Sequence, residues 1–588
     1  MARISVLSAL ILAAFCSATI IDDVADLNKL KFDYIVVGAG TSGAVVANRL
    51  TENKDISVLL LEAGGSNANV LDIEVPWLCL IATPDTAQDW NFTTTAQPGL
   101  NGRAIAYPRG FGLGGSSAVN YMIYTRGARD DFDRFARVTG DNSWSWNNLV
   151  PYMKKTERFS PPADRHNTTG QFDPSVHGFN GINTVSLEGF PTGIDSRVFA
   201  VTDELAEFPF NLDMNSGNTI GIGSTQVTIK DGVRSSSATS YLAPEFINRP
   251  NLHVLLNAHV TRVLQATTGS FRTVELVHGS NVTRLTVTAG REVVLSAGSI
   301  GTPTILQHSG IGNASFLTHL GIPPLVDLPS VGQNLTDHVL LLDSWLVNST
   351  DTIDEANRNA TLFGEQLDEW EATHTGPLVN VAGSQIGWLR LPANASIFER
   401  FEDPASGPTA AHFEILFENG KLGPPTPEGT SYISISNALV SPTSRGFVTI
   451  NSTDPLAAPL IHPNLLGTEV DIFIMREALR AAARFASAPS LKDYIIKPDS
   501  FDPAFSDAQL EEYIRANSGT VFHPVGTAAM SAKGAKFGVV DPDLLVKGVQ
   551  GLRIVDLSVL PFIPAAHTQA AAYIIAERAA DIIKAAQC

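Results

Sequence analysis

Cysteine is scarce in this chain, with three in 588 residues: Cys16, Cys79 and Cys588. So few exclude a disulfide-rich scaffold, and no Cys/His spacing suggests a metal site. If Cys16 leaves with an N-terminal leader, Cys79 and Cys588 remain, and the sequence leaves open whether they pair. Positive charge is short as well: 40 Lys and Arg stand against 59 Asp and Glu, a net charge of −19. No basic cluster offsets that deficit, so the surface repels phosphate backbones and argues against a nucleic-acid partner. Beyond the N-terminus no run approaches twenty unbroken apolar residues, and no membrane span is expected. Internal repeats, heptads and charge blocks are missing too, and the many Gly and Pro are scattered, as turns scatter them. What is present is 44% hydrophobic and 17% charged residues, the composition of a globular protein. A chain this long can bury two or three ordinary domains, or one core shared by interleaved lobes.

The N-terminus, MARISVLSALILAAFCSATI, sets one arginine ahead of a short apolar run that ends in small residues. Cys16 and Ala18 are spaced for small-x-small cleavage, so residues 1–18 read as a secretory signal peptide. The mature protein is expected to be secreted, extracellular and monomeric. Sequons at Asn91, Asn167, Asn281, Asn348 and Asn451 agree with secretion.

The stretch FDYIVVGAGTSGAVVANRL, residues 32 to 50, carries a β-branched run, then Gly38, Gly40 and Gly43 in GxGxxG spacing, then a helical pattern. A second strand, ISVLLLEAG, ends at Glu62. Each part has a task. The glycines let backbone approach a pyrophosphate, the helix N-terminus offers N–H groups and a positive dipole end, and the acid accepts from a ribose. Strand, glycines, helix, strand and acid in this order specify an α/β dinucleotide site. They do not decide between NAD and FAD.

Further motifs settle the choice by resemblance. LGGSSAVN at 113–120, GSIGTPTILQHSGIG at 298–312, HPVGT at 523–527, RIVDLSVLP at 553–561 and AAHTQ at 565–569 follow the N-terminal GAGTSG in order. Together they resemble the glucose-methanol-choline (GMC) flavoprotein oxidoreductases, over nearly all the mature length. Within that family, DWNFTTTAQPGLNGRAIAYPRG and VLPFIPAAHTQ look like the secreted aryl-alcohol oxidases. The resemblance implies a Rossmann-like FAD-binding domain built from discontinuous segments, near 31–75, 225–345 and 520–585. It also implies an α+β substrate-binding domain with an antiparallel sheet, backed by a helix over 469–486 in which Met475 is core. By region, 31–345 is the N-terminal FAD-binding part with some of the substrate lobe, 346–440 a substrate-domain segment, and 441–585 the C-terminal part with the catalytic histidines.

Carried to matching positions, the resemblance places Gly38, Gly40, Thr41, Ser42 and Gly43 at the FAD pyrophosphate, Glu62 at the ribose and Val260 at the adenine. Trp90, Leu113, Ser116 and Asn120 would lie along the flavin side, with Asp556, Leu557, Thr568 and Gln569 completing the pocket. Relatives with histidyl-linked flavin carry His where Val119 stands, so non-covalent FAD is expected. Phe111 departs from the family's usual Arg, Lys or Asn.

His523 of HPVG is implied as the base that removes the hydroxyl proton while flavin N5 takes a hydride from the same carbon. His567 of AAHTQ is its partner on the alcohol oxygen, and Glu414 stands behind them. Tyr107 and Phe522 would line a narrow aromatic path for the substrate, while Leu422 occupies the place of a third aromatic. His338 reads as a packed, hydrogen-bonding residue. The expected activity is oxidation of a primary, aromatic alcohol to an aldehyde, with O2 as acceptor and H2O2 as product. A sugar oxidase or quinone-dependent dehydrogenase is the alternative, and a hydroxynitrile lyase holding FAD without redox turnover is a third.

Overall fold

The computed structural model describes residues 20, 21, 24, 27, 30–279, 281–423 and 426–586, with backbone alone for 281 and 282. The expected leader at 1–18 and Cys588 lie outside the described residues. Cys79 is buried and free.

The chain belongs to the α/β class and is organised around two sheets. Phe32–Val37 is the centre of the first, because Tyr34 to Val37 are apolar on both faces and bury almost completely. It pairs in parallel with Val58–Leu61 on one side and with the end of the long strand Asn281–Leu295 on the other. Leu252–Leu255 and Leu552–Ile554 extend the sheet at its two sides, again in parallel. The first half of Asn281–Leu295 turns to antiparallel pairing with Ser270–His278, which pairs with Ala258–Thr267.

Two helices pack closely against each other beside this sheet, Thr41–Leu50 and Gln569–Ala585. Small residues allow the approach: Ala44 and Ala47 on one, Ala571, Ala572 and Ala576 on the other, all buried. Ser42 donates to the carbonyl of Ala572 at 3.1 Å. Further along, Arg49 pairs with buried Glu577, which also accepts from Tyr241.

The second sheet is antiparallel, in the order Ile495–Pro498, Ser344–Val347, Tyr432–Leu439, Phe413–Glu418, Gln385–Leu389, Gly221–Ser224. The helix Glu469–Ala486 lies over its middle strands, as its apolar spacing requires, with Ile474, Met475, Leu479 and Phe485 buried. The ring of Phe485 meets Phe417 at 4.6 Å between centroids. Thr468 caps the helix by accepting from the Asp471 N–H. A short strand, Val339–Leu341, continues the sheet beside Tyr432–Leu439 and pairs in turn with Gly519–Thr520. That last pairing carries the C-terminal histidine segment to the boundary between the two sheets. Among the described residues no helix is long and apolar enough to cross a membrane.

Candidate active site

A cavity of about 320 Å3 opens at the C-terminal ends of the parallel strands, within the range of roughly 300–1,000 Å3 that small-molecule sites span. Ten residues singled out from the sequence line it: Gly38, Gly40, Thr41, Ser42, Glu62, Trp90, Ser116, Val260, Asp556 and Leu557. The helix Thr41–Leu50 points its N-terminus there with no side-chain cap and no acidic residue in its first turn. Glycine is compelled at two places. A Cβ on Gly43 would stand 1.9 Å from the Gly38 carbonyl oxygen, and one on Gly115, at φ +49°, would stand 2.7 Å from Gly40 Cα. The two glycine loops thus touch backbone to backbone and leave the space beside them free.

Glu62 accepts from the Ala39 N–H at 2.8 Å and the Gly64 N–H at 2.9 Å, one on each oxygen, and stands in the cavity lining. Burial pushes its carboxyl up, and these backbone donors pull it back. Asp556 caps the helix Gly298–His308 by accepting from the Gly298 N–H at 3.0 Å and the Thr302 hydroxyl at 2.6 Å. Trp90 stacks on Phe92, and Phe111 meets its edge at 4.8 Å. Phe111 thus supports the wall by packing where the family has a polar side chain.

Other expected residues sit elsewhere. Leu113 packs in the core, and its backbone ties Gly65 and Asn67. Asn120, Thr568 and Gln569 are not part of the cavity lining. Asn120 donates to Gln569 at 2.7 Å and accepts from Arg234 at 2.9 Å, and Thr568 precedes the C-terminal helix. Tyr107, expected along the substrate path, does not line the cavity. Its ring is buried among Ile300, Leu335, Val448 and Ile461, and its hydroxyl donates to Asp337 at 2.6 Å. A phenol with a buried carboxylate to satisfy packs inward, and motif position alone does not show that demand.

The histidine segment is a bulge. Residues 336–340 and 519–525 run antiparallel, joined at Thr336 with Val525, at His338 with Val521 and at Val339 with Thr520. Between the first two joints, Phe522, His523 and Pro524 oppose the single residue Asp337. The Asp337 carboxylate fills the gap, accepting from the His523 N–H at 2.8 Å and the Thr520 hydroxyl at 2.6 Å as well as from Tyr107. Phe522 is held at φ +63°, which costs a non-glycine residue about 1–3 kcal/mol. Its N–H donates to Thr520 at 2.6 Å and its carbonyl accepts from Arg109 at 2.7 Å, and both fix that turn. The Phe522 ring is half-buried and is not part of the cavity wall.

The His523 and His567 rings lie at 87° with centroids 5.0 Å apart. His567 bonds through Nε2 to Glu414 at 2.8 Å, and the edge of Trp388 meets its ring at 6.1 Å. Glu414 and Trp388 face each other in register on adjacent strands of the antiparallel sheet. That row of side chains therefore fixes the ring. His523 bonds through Nδ1 to His338 Nδ1 at 3.0 Å. Burial, then the His567, His338 and Arg109 charges, hold the His523 imidazole well below its ordinary value. Neither imidazole lines the large cavity, but Pro524, next to His523, does. The histidines therefore stand at its far edge.

Residues 32–340 and 442–576 match the two family profiles described as GMC oxidoreductase. This chain belongs to the GMC oxidoreductase family. Dehydrogenase eriK of Hericium erinaceus is 42% identical over 588 residues, 97% of each chain. Pyranose dehydrogenase 3 of Leucoagaricus meleagris is 39% identical over 95% of this chain and 93% of its own. Among solved structures, the formate oxidase of Aspergillus oryzae RIB40 superposes with a TM-score of 0.86 at 29% identity, covering 95% of this chain and 98% of that one. A fungal aryl-alcohol oxidase superposes with a TM-score of 0.82 at 27% identity, covering 95% and 99%. As a GMC oxidoreductase, the protein is an FAD-dependent enzyme acting on CH–OH groups, and the uncapped helix end, the two glycine loops and Glu62 fit that cofactor.

Sequence reasoning missed four groups. Arg109 lines the cavity with no ion-pair partner among the described residues, and His259 lines it with its ring edge-on to Trp90. The segment Pro455–Pro459 closes one side. His338, read as a packed residue, is packed, but its hydrogen bond goes to His523. Arg109 directly precedes the glycine loop and was legible there; the others depend on contacts between distant segments.

Proposed function

We propose that this GMC oxidoreductase oxidises a CH–OH group of a sugar-type alcohol, with His523 taking the hydroxyl proton. One observation carries the reading: two perpendicular imidazoles 5.0 Å apart at the edge of the cavity, each with one ring nitrogen tied to a protein side chain. His523 is held neutral, so it accepts a proton across the physiological range. His567, anchored by Glu414, orients the alcohol oxygen against it. A base so placed contributes about 10²–10⁴ in rate.

FAD, when bound, supplies the hydride acceptor. Gly38, Gly40, Thr41, Ser42 and Ser116 would hold its pyrophosphate, Glu62 its ribose and Val260 its adenine, with Trp90, Asp556 and Leu557 along the rest. Val119 is buried among Ile73, Ala82 and Ala118 and has no nucleophile, which supports non-covalent attachment.

For the substrate, an aromatic path loses support where Tyr107 turns inward and Leu422 stands in place of a ring. Relatives named as pyranose dehydrogenases, 39% identical over nearly the whole chain, favour a sugar and an organic acceptor. The aryl-alcohol oxidase among the structural neighbours keeps a benzylic alcohol as the second reading. Exposed sequon asparagines at 91, 167, 348 and 451 support a secreted glycoprotein.

The test is anaerobic rapid mixing with D-glucose and with 4-methoxybenzyl alcohol, following flavin absorbance. Bleaching by the sugar, reversed by benzoquinone but not by air, is the expected result. Bleaching by the benzylic alcohol alone, reversed by air, replaces it with an aryl-alcohol oxidase, and bleaching by neither overturns both.

A further inference from the structure

His338 and His523 lie 185 residues apart in the chain, yet their Nδ1 atoms are 3.0 Å apart and their ring planes cross at 80°. Both rings are held neutral, His338 down to about 3, by burial first and then by the charge of His567. Two neutral imidazoles in such a contact share one proton: one Nδ1 donates and the other accepts.

The surroundings of His338 decide which. If His338 donated, its own Nε2 would be a bare lone pair. That nitrogen is buried and no donor reaches it, while the groups that favour protonation of this ring are the backbone carbonyls of Val440 and Pro564. With Nδ1 engaged by His523, Nε2 is the ring nitrogen left to these acceptors. A lone pair facing them is repelled and an N–H is attracted. The His338 proton therefore belongs on Nε2, and its Nδ1 accepts. His523 then carries its proton on Nδ1, which leaves the Nε2 lone pair free.

We propose that His338 is a positioning residue that fixes the tautomer of His523 through this Nδ1–Nδ1 hydrogen bond and so makes His523 Nε2 the proton acceptor. The inference rests on the reading of His523 as the base, and it adds the atom that acts and the residue that keeps it ready. In turnover the substrate O–H bond breaks, an N–H bond forms at Nε2, and the electron pair stays on oxygen. The imidazolium keeps its Nδ1–H on a neutral acceptor. A carboxylate in that place would hold the proton by charge, whereas His338 lets His523 give it up once the product has left.

The experiment compares His338→Leu, which removes the acceptor, with His338→Gln, whose amide oxygen can accept from Nδ1. Both are made as full-length FAD-loaded protein and mixed anaerobically with whichever of D-glucose and 4-methoxybenzyl alcohol reduces the unaltered enzyme. The expected result is a reduction rate about 10²-fold lower for His338→Leu, with FAD content and substrate dissociation constant unchanged, and recovery to within tenfold in His338→Gln. Equal losses in both variants, or no loss in His338→Leu, would overturn the proposal. Long-range proton–nitrogen NMR of the histidine-labelled, unsubstituted protein gives a second readout that needs neither variant nor substrate. With His523 assigned by its loss in His523→Asn, Nε2 should show the unprotonated nitrogen shift, and a protonated one overturns the tautomer. Retention of rate within tenfold in His523→Ala removes the underlying base reading. Loss there without loss in His338→Leu leaves the base and removes only its keeper.

Discussion

His523 and His177 are both withdrawn from water, yet the fold keeps the first neutral and the second charged. The charges that act on the His523 ring are those of two more imidazoles and the Arg109 guanidinium, so burial and neighbouring charge act in the same direction, while the Asp337 carboxylate is engaged by the backbone N–H. His177 lies between two carboxylates, bonded through Nδ1 to Glu157 at 2.5 Å and through Nε2 to Asp213 at 2.7 Å. Carboxylates only accept, so both ring nitrogens carry protons there. Burial disfavours that cation, but the hydrogen bonds to Asp213 and Glu157 outweigh it and raise the imidazole above its ordinary value. The buried Arg126 completes the group by pairing with the other oxygen of Glu157. Two cations and two anions balance, and the cluster acts as a structural tie. The comparison teaches that depth alone sets no charge state; the residue type at the ring edge does.

The sharpest way to break the comparison is to remove its catalytic member. His523→Ala is expected to lower flavin reduction about 10²–10⁴-fold while FAD absorbance and melting temperature hold, measured by anaerobic rapid mixing beside a thermal scan. Next is the structural member. Arg126→Met leaves Glu157 buried with too little positive charge and should cost about 3–5 kcal/mol, read from denaturant unfolding, with little change in reduction rate per folded, FAD-loaded molecule.

The smallest effect is the most diagnostic, because the two imidazoles respond to pH in opposite senses. His177 has a raised value in the fold. Its stabilisation is fully present below the ordinary histidine value near 6.5 and fades as pH rises through the folded value. At the acid end the same cluster weakens as Glu157 and Asp213, both held low, take up protons. The melting-temperature gap between the unaltered protein and His177→Gln should therefore be widest in mildly acidic buffer and narrow above neutrality. His523 is depressed, so its protonation destabilises only as pH falls below 6.5. In a His567→Gln background the reduction rate should show no inflection near 6.5, and one there would mean that His523 titrates normally.

Much of the fold was legible where its causes are local. Strand, glycine loop, helix and acid fall within residues 32–62, and short-range geometry alone fixes them. The helix over 469–486 was equally plain, since one apolar stripe defines it. The rest of the parallel sheet was not plain from periodicity, because Leu252–Leu255 and Leu552–Ile554 find their places only through pairing across hundreds of residues. The same limit shaped the site. His523, His567 and Glu414 were found through family motifs, and the structure brings them together. His338 and Asp337 were not, since their importance lies in what faces them across the bulge. The bond of Tyr107 was missed for the converse reason: an aromatic in the right motif has no marking that its hydroxyl must reach a buried carboxylate.

The bulge at 522–524 also bears on how such a chain can diversify. Asp337, Tyr107 and Arg109 hold it from outside the strands of the broad antiparallel sheet, and Thr520 holds it from the short strand at that sheet's edge. Side chains on the exposed rows and loops of that sheet can therefore drift without displacing the proton acceptor. Natural variation has a surface on which to rewrite molecular preference, while the chemistry stays under separate, stricter inheritance.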